Sequence, residues 1–358
     1  MAILPSERVP ASPDATSVEV SAERSGETAP TTRSRRTTHV RRALLALAVA
    51  GVALAVSSTA PLLGPLLVAL VIGVVAANTP GISRHVVGTA PRLDKLLLRS
   101  GIVLLGLKIA VADVLALGAS GLAVVLATVV TTYAATQLIG RALGLERDLV
   151  TLIAAGFSIC GAAAIAAVES SIRAKPKDVA LAVALVTVFG TVMIGVVPAL
   201  GRVLGLSDEQ TAVWAGASIH EVAQVIAAAS LIGAGGATVL ATATTVKLAR
   251  VALLAPVQVV SARVCRSADS PRSGPVVPLF LLGFLAAVAI RSTGVLPQGV
   301  LDVASQLTTL LLSAAMFGLG TGIVARHLWP VPVRALLLAT ASTLVAGGVA
   351  LALVTLLV

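Results

Sequence analysis

About eleven apolar stretches, centred near residues 50, 70, 104, 130, 158, 190, 219, 248, 284, 312 and 345, follow one another along this chain, most of them long enough to cross a bilayer. Lipid leaves such stretches one common solution, the helix, because each backbone N–H and C=O then bonds within its own segment. Composition agrees: a chain of 358 residues that is 57% hydrophobic and 12% charged has too little polar surface to cover a soluble globule. The expected fold is all-α, a polytopic membrane protein with about eleven transmembrane helices. Residues 1–38, rich in Ser, Thr, Pro and charge, lack apolar periodicity and read as a disordered cytoplasmic arm ahead of a transmembrane domain at 39–358. The first apolar run begins only near Ala43, behind Arg33, Arg35, Arg36, Arg41 and Arg42, too late for a secretory signal.

The net charge of +10 is an orientation signal. With the N-terminus inside, alternation places Arg84, Arg92 and Lys95, then Arg141 and Arg147, Arg202, Arg263, Arg266 and Arg272, and Arg326 and Arg334 in the cytoplasm. The loop with Arg173, Lys175 and Lys177 falls outside and breaks the rule. Since basic loops satisfy membrane sorting, no nucleic-acid partner is implied. Localisation in a cell membrane, multi-pass with the N-terminus cytoplasmic, is the reading. Cys160 falls in a span and Cys265 in a loop, so neither a disulfide nor a metal cluster is expected.

Two segments nearly repeat: GFSICGAAAIAA at Gly156–Ala167 and GASIHEVAQVIA at Gly216–Ala227, with matching lead-ins GRALGLERD and GRVLGLSDE. Each is expected halfway along a membrane-length helix, where small residues let the backbone unwind or a neighbour approach. An odd helix count suggests one extra helix and two five-helix units, 62–201 and 210–358, of inverted topology. That scheme pairs Asp148–Val168 with Leu301–Ile323, whose Gly318, Gly320 and Gly322 mark either a break or a close helix contact. It leaves the direct likeness of the Gly156 and Gly216 segments without a cause.

Ionisable residues within spans are functional candidates. His220 and Glu221 lie about ten residues into their segment, and Lys247 sits at a similar depth in the next. Thr244, Lys247 and Arg250 share one flank at i, i+3 and i+6. Lys108 lies somewhat nearer the outer surface, and Ser158, Cys160, Gly161, Ser218 and Gln224 complete the candidate substrate or coupling set. Simpler readings stand beside these. Glu221 with Lys247 fits a structural ion pair as well as a transport site. His220 fits a packing role, Ser158 and Ser218 fit bonds back to a carbonyl one turn earlier, and Arg250 fits snorkelling. HEVAQ at His220–Gln224 is one residue from a zinc-protease signature, but Gln224 stands where the second histidine is needed, so no enzyme, metal or cofactor is expected.

SICGAAAI at Ser158–Ile165, GASIHEVAQV at Gly216–Val225 and TTVKLARVALLAPV at Thr244–Val257 together resemble a family of bacterial membrane proteins labelled as sulfate exporters. The resemblance covers about residues 43–358. It implies a transporter distantly related to cation–proton antiporters and bile-acid symporters, with inverted repeats and crossed, broken helices. The residues add that Lys108, Lys247 and Arg250 outnumber Glu221, as a small anion requires. The expected function is secondary transport of sulfate or a related sulfur-containing or carboxylate anion, with a proton or cation as coupling ion and a homodimer allowed. A cation–proton antiporter built on Glu221 and Lys247, a channel-like pore, and a membrane sensor signalling through the N-terminal arm stay open.

Overall fold

The computed structural model describes residues 32–59, 65–80, 91–172, 174–233, 236–265, 279–321 and 332–358. Met1–Thr38 and His39–Val358 form separate units. Among the described residues every regular element is helical. In chain order these are α1 (Thr32–Thr59), α2 (Pro65–Asn78), α3 (Pro91–Leu105), α4 (Val111–Leu115), α5 (Gly118–Ala142), α6 (Arg147–Ser158), α7 (Ala162–Ile172) and α8 (Pro176–Val203). Then come α9 (Asp208–Ser218), α10 (Val222–Ala229), α11 (Ala237–Ala252), α12 (Leu254–Val264), α13 (Leu279–Ser292), α14 (Gln298–Gly320) and α15 (Val333–Leu357). Five are long and apolar enough to cross a membrane: α5, α8, the rod Ala237–Val264 made of α11 and α12, α14 and α15.

The repeated segments are not broken spans. Glu146, the residue before α6, and Lys175, the residue before α8, form an ion pair at 2.7 Å. A helix running straight from 147 to 172 would hold those residues about 40 Å apart. Instead α6 and α7 fold back as a hairpin, and a Cβ at Gly156 would lie 2.7 Å from Ile165 on the opposite arm. The second repeat does the same. Arg202 at the end of α8 donates to the carbonyl of Leu231, just past α10, at 2.7 Å, and Gly233 packs on Asp208 at the start of α9. The expectation that both segments sit halfway along membrane-length helices is therefore corrected: they turn at their midpoints.

Helix α8 sets where the hairpins point. Its 28 residues extend about 42 Å. The mouth of the first hairpin lies at its start and that of the second at its end, so the two enter from opposite ends of the bundle. Each nucleates its own apolar cluster. One gathers Leu149–Val168 with Val179–Val186, and the other gathers Ala212–Ile232 with Met193–Val197. The matched lead-ins code for one cap used twice. Gly144 and Gly205 adopt φ of +66° and +68°, with Leu145 N bonding to Gly140 O and Leu206 N to Gly201 O. This is a Schellman turn, which needs glycine at the left-handed position.

The hairpins change which loops share an end. Lys175 and Lys177 lie with Arg147 and Arg263, tied by Arg147 to the carbonyl of Val264, whereas Arg202 lies at the far end of α8. Both placements reverse the alternation read from the sequence. Arg84, Arg173, Arg266, Arg272, Arg326 and His327 lie outside the described residues.

Of the two readings of the glycines near Gly318, a break or a close helix contact, the structure gives the contact. Helix α14 is continuous through Gly320, and a Cβ at Gly73 or Gly320 would meet the backbone of the other's helix. The glycines there let α2 and α14 touch; Gly322 is outside the described residues. Helices α2, α3, α13 and α14 pack chiefly with one another, and α5 through α12 pack with one another and α15. The hairpins belong to the second group.

Candidate functional site

Turning a helix back inside an apolar core leaves unpaired carbonyls at one arm's end and unpaired N–H groups at the other's start. At the first tip the chain reverses through Ile159 (φ −112°, ψ −93°), Cys160 and Gly161 (φ +71°). At the second it reverses through Ile219, His220 and Glu221. The two tips meet, and the charged residues read from the sequence serve their four helix ends.

The cations take the carbonyl ends. Lys247 donates to Ile159 O at 2.6 Å and Ile219 O at 2.8 Å. Arg250, one turn further along α11, donates through Nη2 to Phe157 O and Ser158 O at 3.0 and 2.9 Å. Its Nε reaches Ser158 O at 3.1 Å, and its Nη1 reaches Ile219 O and Gly216 O at 3.0 and 3.4 Å. Both side chains are fully buried. The partial negative charge at the ends of α6 and α9 offsets their desolvation. Arg250 does not snorkel.

The carboxylate takes the N–H ends. Glu221 precedes α10, forms a capping box with Gln224, and accepts from Ala162 N of α7 at 3.4 Å. Gly161 makes room for it, since a Cβ there would lie 2.6 Å from Glu221 Cγ. Gln224 also donates to Thr187 O at 3.3 Å, fixing the second hairpin to α8, where Gly190 leaves space for its amide. No ion pair joins Glu221 to Lys247 among the described residues.

A cavity of about 230 Å³ opens beside the tips, between the two helix groups. Glu221, Cys160 and Ala163 line it from the hairpins; Lys108, at the end of the 3-10 turn that extends α3, and Thr308 and Thr309 of α14 line it from the other group. Among the described residues Lys108 has no hydrogen-bond or ionic partner. Lys247 does not line this cavity, contrary to the expected shared site with Glu221. The set of three cations facing an anion likewise reduces to Lys108. A second cavity, of about 180 Å³, lies between the same groups near the mouth of the first hairpin. There Lys95 of α3 and Glu169 of α7 form an ion pair at 3.5 Å across the divide.

The remaining candidates stand behind the tips. Ser158 and Ser218 bond back to Ala154 O and Trp214 O at 2.6 and 2.7 Å. His220 is buried with its ring 4.6 Å from that of Phe157 and Nε2 3.5 Å from Thr343 Oγ1. The helix that a His-x-x-x-His pair needs begins only at Val222, so HEVAQ offers no zinc face. Thr244 Oγ1 is buried without a hydrogen bond. Thr308 and Thr309 escaped the sequence reading; their signal was an adjacent hydroxyl pair about ten residues into the helix, just before the apolar run Leu310–Leu312.

Paired hairpins entering an all-helical apolar bundle from opposite ends, with buried charges at their tips, define a multi-helical integral membrane protein. The chain belongs to the UPF0324 membrane protein family. The family described as conserved hypothetical protein 698 matches residues 42–339. A UPF0324 membrane protein of Corynebacterium glutamicum is 46% identical over 292 residues, covering 80% of this chain and 84% of that protein. Relatives from Pseudomonas aeruginosa and Bacillus cereus are 36% and 34% identical, each covering 78% of this chain and 83% of their own length. No solved structure matches.

Proposed function

We propose that this protein is a secondary transporter, not an enzyme, that moves a small anion across the bacterial plasma membrane by alternating access. One observation carries the reading: two re-entrant hairpins from opposite ends meet at a cavity held between two helix groups. A site enclosed that way can open to either end by moving one group against the other, as carriers with inverted repeats do. The repeat unit is one full helix followed by one hairpin, α5 with α6–α7 and α8 with α9–α10. A unit with a single net crossing inverts its successor, which accounts for the direct likeness of the two tips. Of the eleven apolar stretches, two are hairpins and nine cross. The count stays odd, so the two ends stay on opposite sides, and with the N-terminus cytoplasmic Lys175 and Lys177 now join Arg141, Arg147, Arg263 and Arg334 inside. Arg202 moves outside, as does Arg291, whose neighbour Ser292 accepts from Val111 N at the start of α4.

The unpartnered Lys108 supplies positive potential on the cavity wall, which favours an anion, while Glu221 occupies the two helix starts at the tips. Sulfate and small sulfonates or carboxylates are the substrate class to test. Glu221, the one carboxylate among the described residues of the cavity lining, supports a second reading, cation–proton exchange. Flux in proteoliposomes decides: saturable anion uptake that follows a gradient and is lost in Lys108→Met is the expected result. Flux of sodium or potassium that ignores the accompanying anion and survives Lys108→Met overturns the anion reading.

A further inference from the structure

Among the described residues, the charges lining the cavity are one lysine and one carboxylate, carried by different helix groups. Lys108 enters on the 3-10 turn behind α3; Glu221 enters on the tip of the second hairpin. They do not pair with each other. The rest of the lining is apolar or weakly polar: Leu66, Val251, Ile226 and Leu312, with Thr308 and Thr309, whose hydroxyls are spent on Ala304 O and Ser305 O at 2.7 and 3.1 Å.

Such a lining discriminates by charge. A dianion such as sulfate would give up its hydration for a single ammonium, with a carboxylate facing it, and burying a poorly compensated charge in an apolar wall is heavily unfavourable. A plain monoanion would satisfy Lys108 and leave Glu221 opposed. A molecule with one anionic and one cationic group would satisfy both: its acid group at Lys108, its ammonium at Glu221, and a short hydrocarbon link against the leucines. It would also bridge the two helix groups, so that loading the site and holding the groups together become one event.

We propose, resting on the carrier reading above and on its placement of the substrate's acid group at Lys108, that the substrate is a small zwitterion, an amino acid or aminosulfonate whose amine and acid groups are separated by a short chain. Thermal unfolding of the purified full chain in detergent tests this with matched probes: 2-aminoethanesulfonate, ethanesulfonate, ethylamine, 3-aminopropanoate, propanoate and sulfate. A ligand that binds only the folded state raises the midpoint. At least one amino acid probe is expected to raise the midpoint at concentrations tenfold or more below those its deaminated partner needs. Glu221→Gln is expected to erase that preference. Should that variant fail to fold, Lys108→Met gives a second readout: it is expected to abolish the shift by the amino acid probes, and an undiminished shift in that variant overturns the proposal. Ethanesulfonate, propanoate or sulfate matching or exceeding the amino probes overturns the zwitterion and leaves the anion carrier standing. Stabilisation by ethylamine alone overturns both, and no stabilisation by any amino acid probe overturns the zwitterion.

Discussion

Lys247 and Arg250 do for two buried helix ends what water does for a helix end at a surface. Between them they donate to the carbonyls of Phe157, Ser158, Ile159, Gly216 and Ile219. Arg250→Met would orphan at least Phe157 O and Ser158 O, at roughly 1–3 kcal/mol for each buried group, so a loss of several degrees in the unfolding midpoint is expected. Lys108→Met removes a cation that bonds to nothing, and it should leave the midpoint unchanged or raised while abolishing any ligand-induced shift. An Arg250→Met protein of wild-type midpoint that merely fails to bind ligand would return Arg250 to the substrate. Gly161 carries a second residue-scale test. Its left-handed φ costs a residue with a Cβ about 1–2 kcal/mol, and that Cβ would collide with Glu221. Gly161→Ala should lower both midpoint and flux, whereas Gly195→Ala, whose Cβ meets nothing, should do neither.

At the scale of elements, each hairpin is clasped at its mouth. Glu146 and Lys175 are exposed, and their bond holds the Glu146 carboxyl below, and the Lys175 ammonium above, their ordinary pKa ranges. A lowered carboxyl pKa contributes stability above the unfolded glutamate value that is lost as pH falls through the folded one. A raised lysine pKa contributes stability below the unfolded lysine value that is lost as pH rises through the folded one. The midpoint gap between wild type and Glu146→Gln should therefore be small at neutral pH, where exposure and salt screen the pair, and should close as pH drops below the carboxylate range; a gap that widens in acid would show the clasp is not ionic. Part of this was legible in the sequence: the helical class, small residues near Gly156 and Gly216 where a backbone can unwind or be approached, and the depth of Glu221 and Lys247; the burial of Arg250 was not, since its place in the apolar run also fits snorkelling. The reversal was not, because hydropathy registers an apolar run and not the direction in which it leaves. Two clues were present. Arg173, Lys175 and Lys177 broke the charge rule, and the lead-ins with Gly144 and Gly205 repeated one spanning helix plus one hairpin apart.

For the whole molecule, side-specific labelling separates nine crossings from eleven. In a Cys160→Ala, Cys265→Ala background, cysteines at Glu146 and Lys177 should both resist an impermeant maleimide in intact cells, and one at Arg202 should react. Opposite behaviour of positions 146 and 177 would restore α6–α7 as a span. Deleting residues 2–30 keeps Arg33 through Arg42 and should leave insertion and flux intact; a correctly inserted but inactive truncation would favour the sensor. The single guanidinium of Arg250 has a last consequence. Because it grips both tips at once, neither hairpin can withdraw without stripping bonds from the group that also anchors its counterpart. For the carrier proposed above this gives the logic of an airlock, in which one bolt serves two doors, and a leak through both would require the bolt itself to be left without any carbonyl to hold.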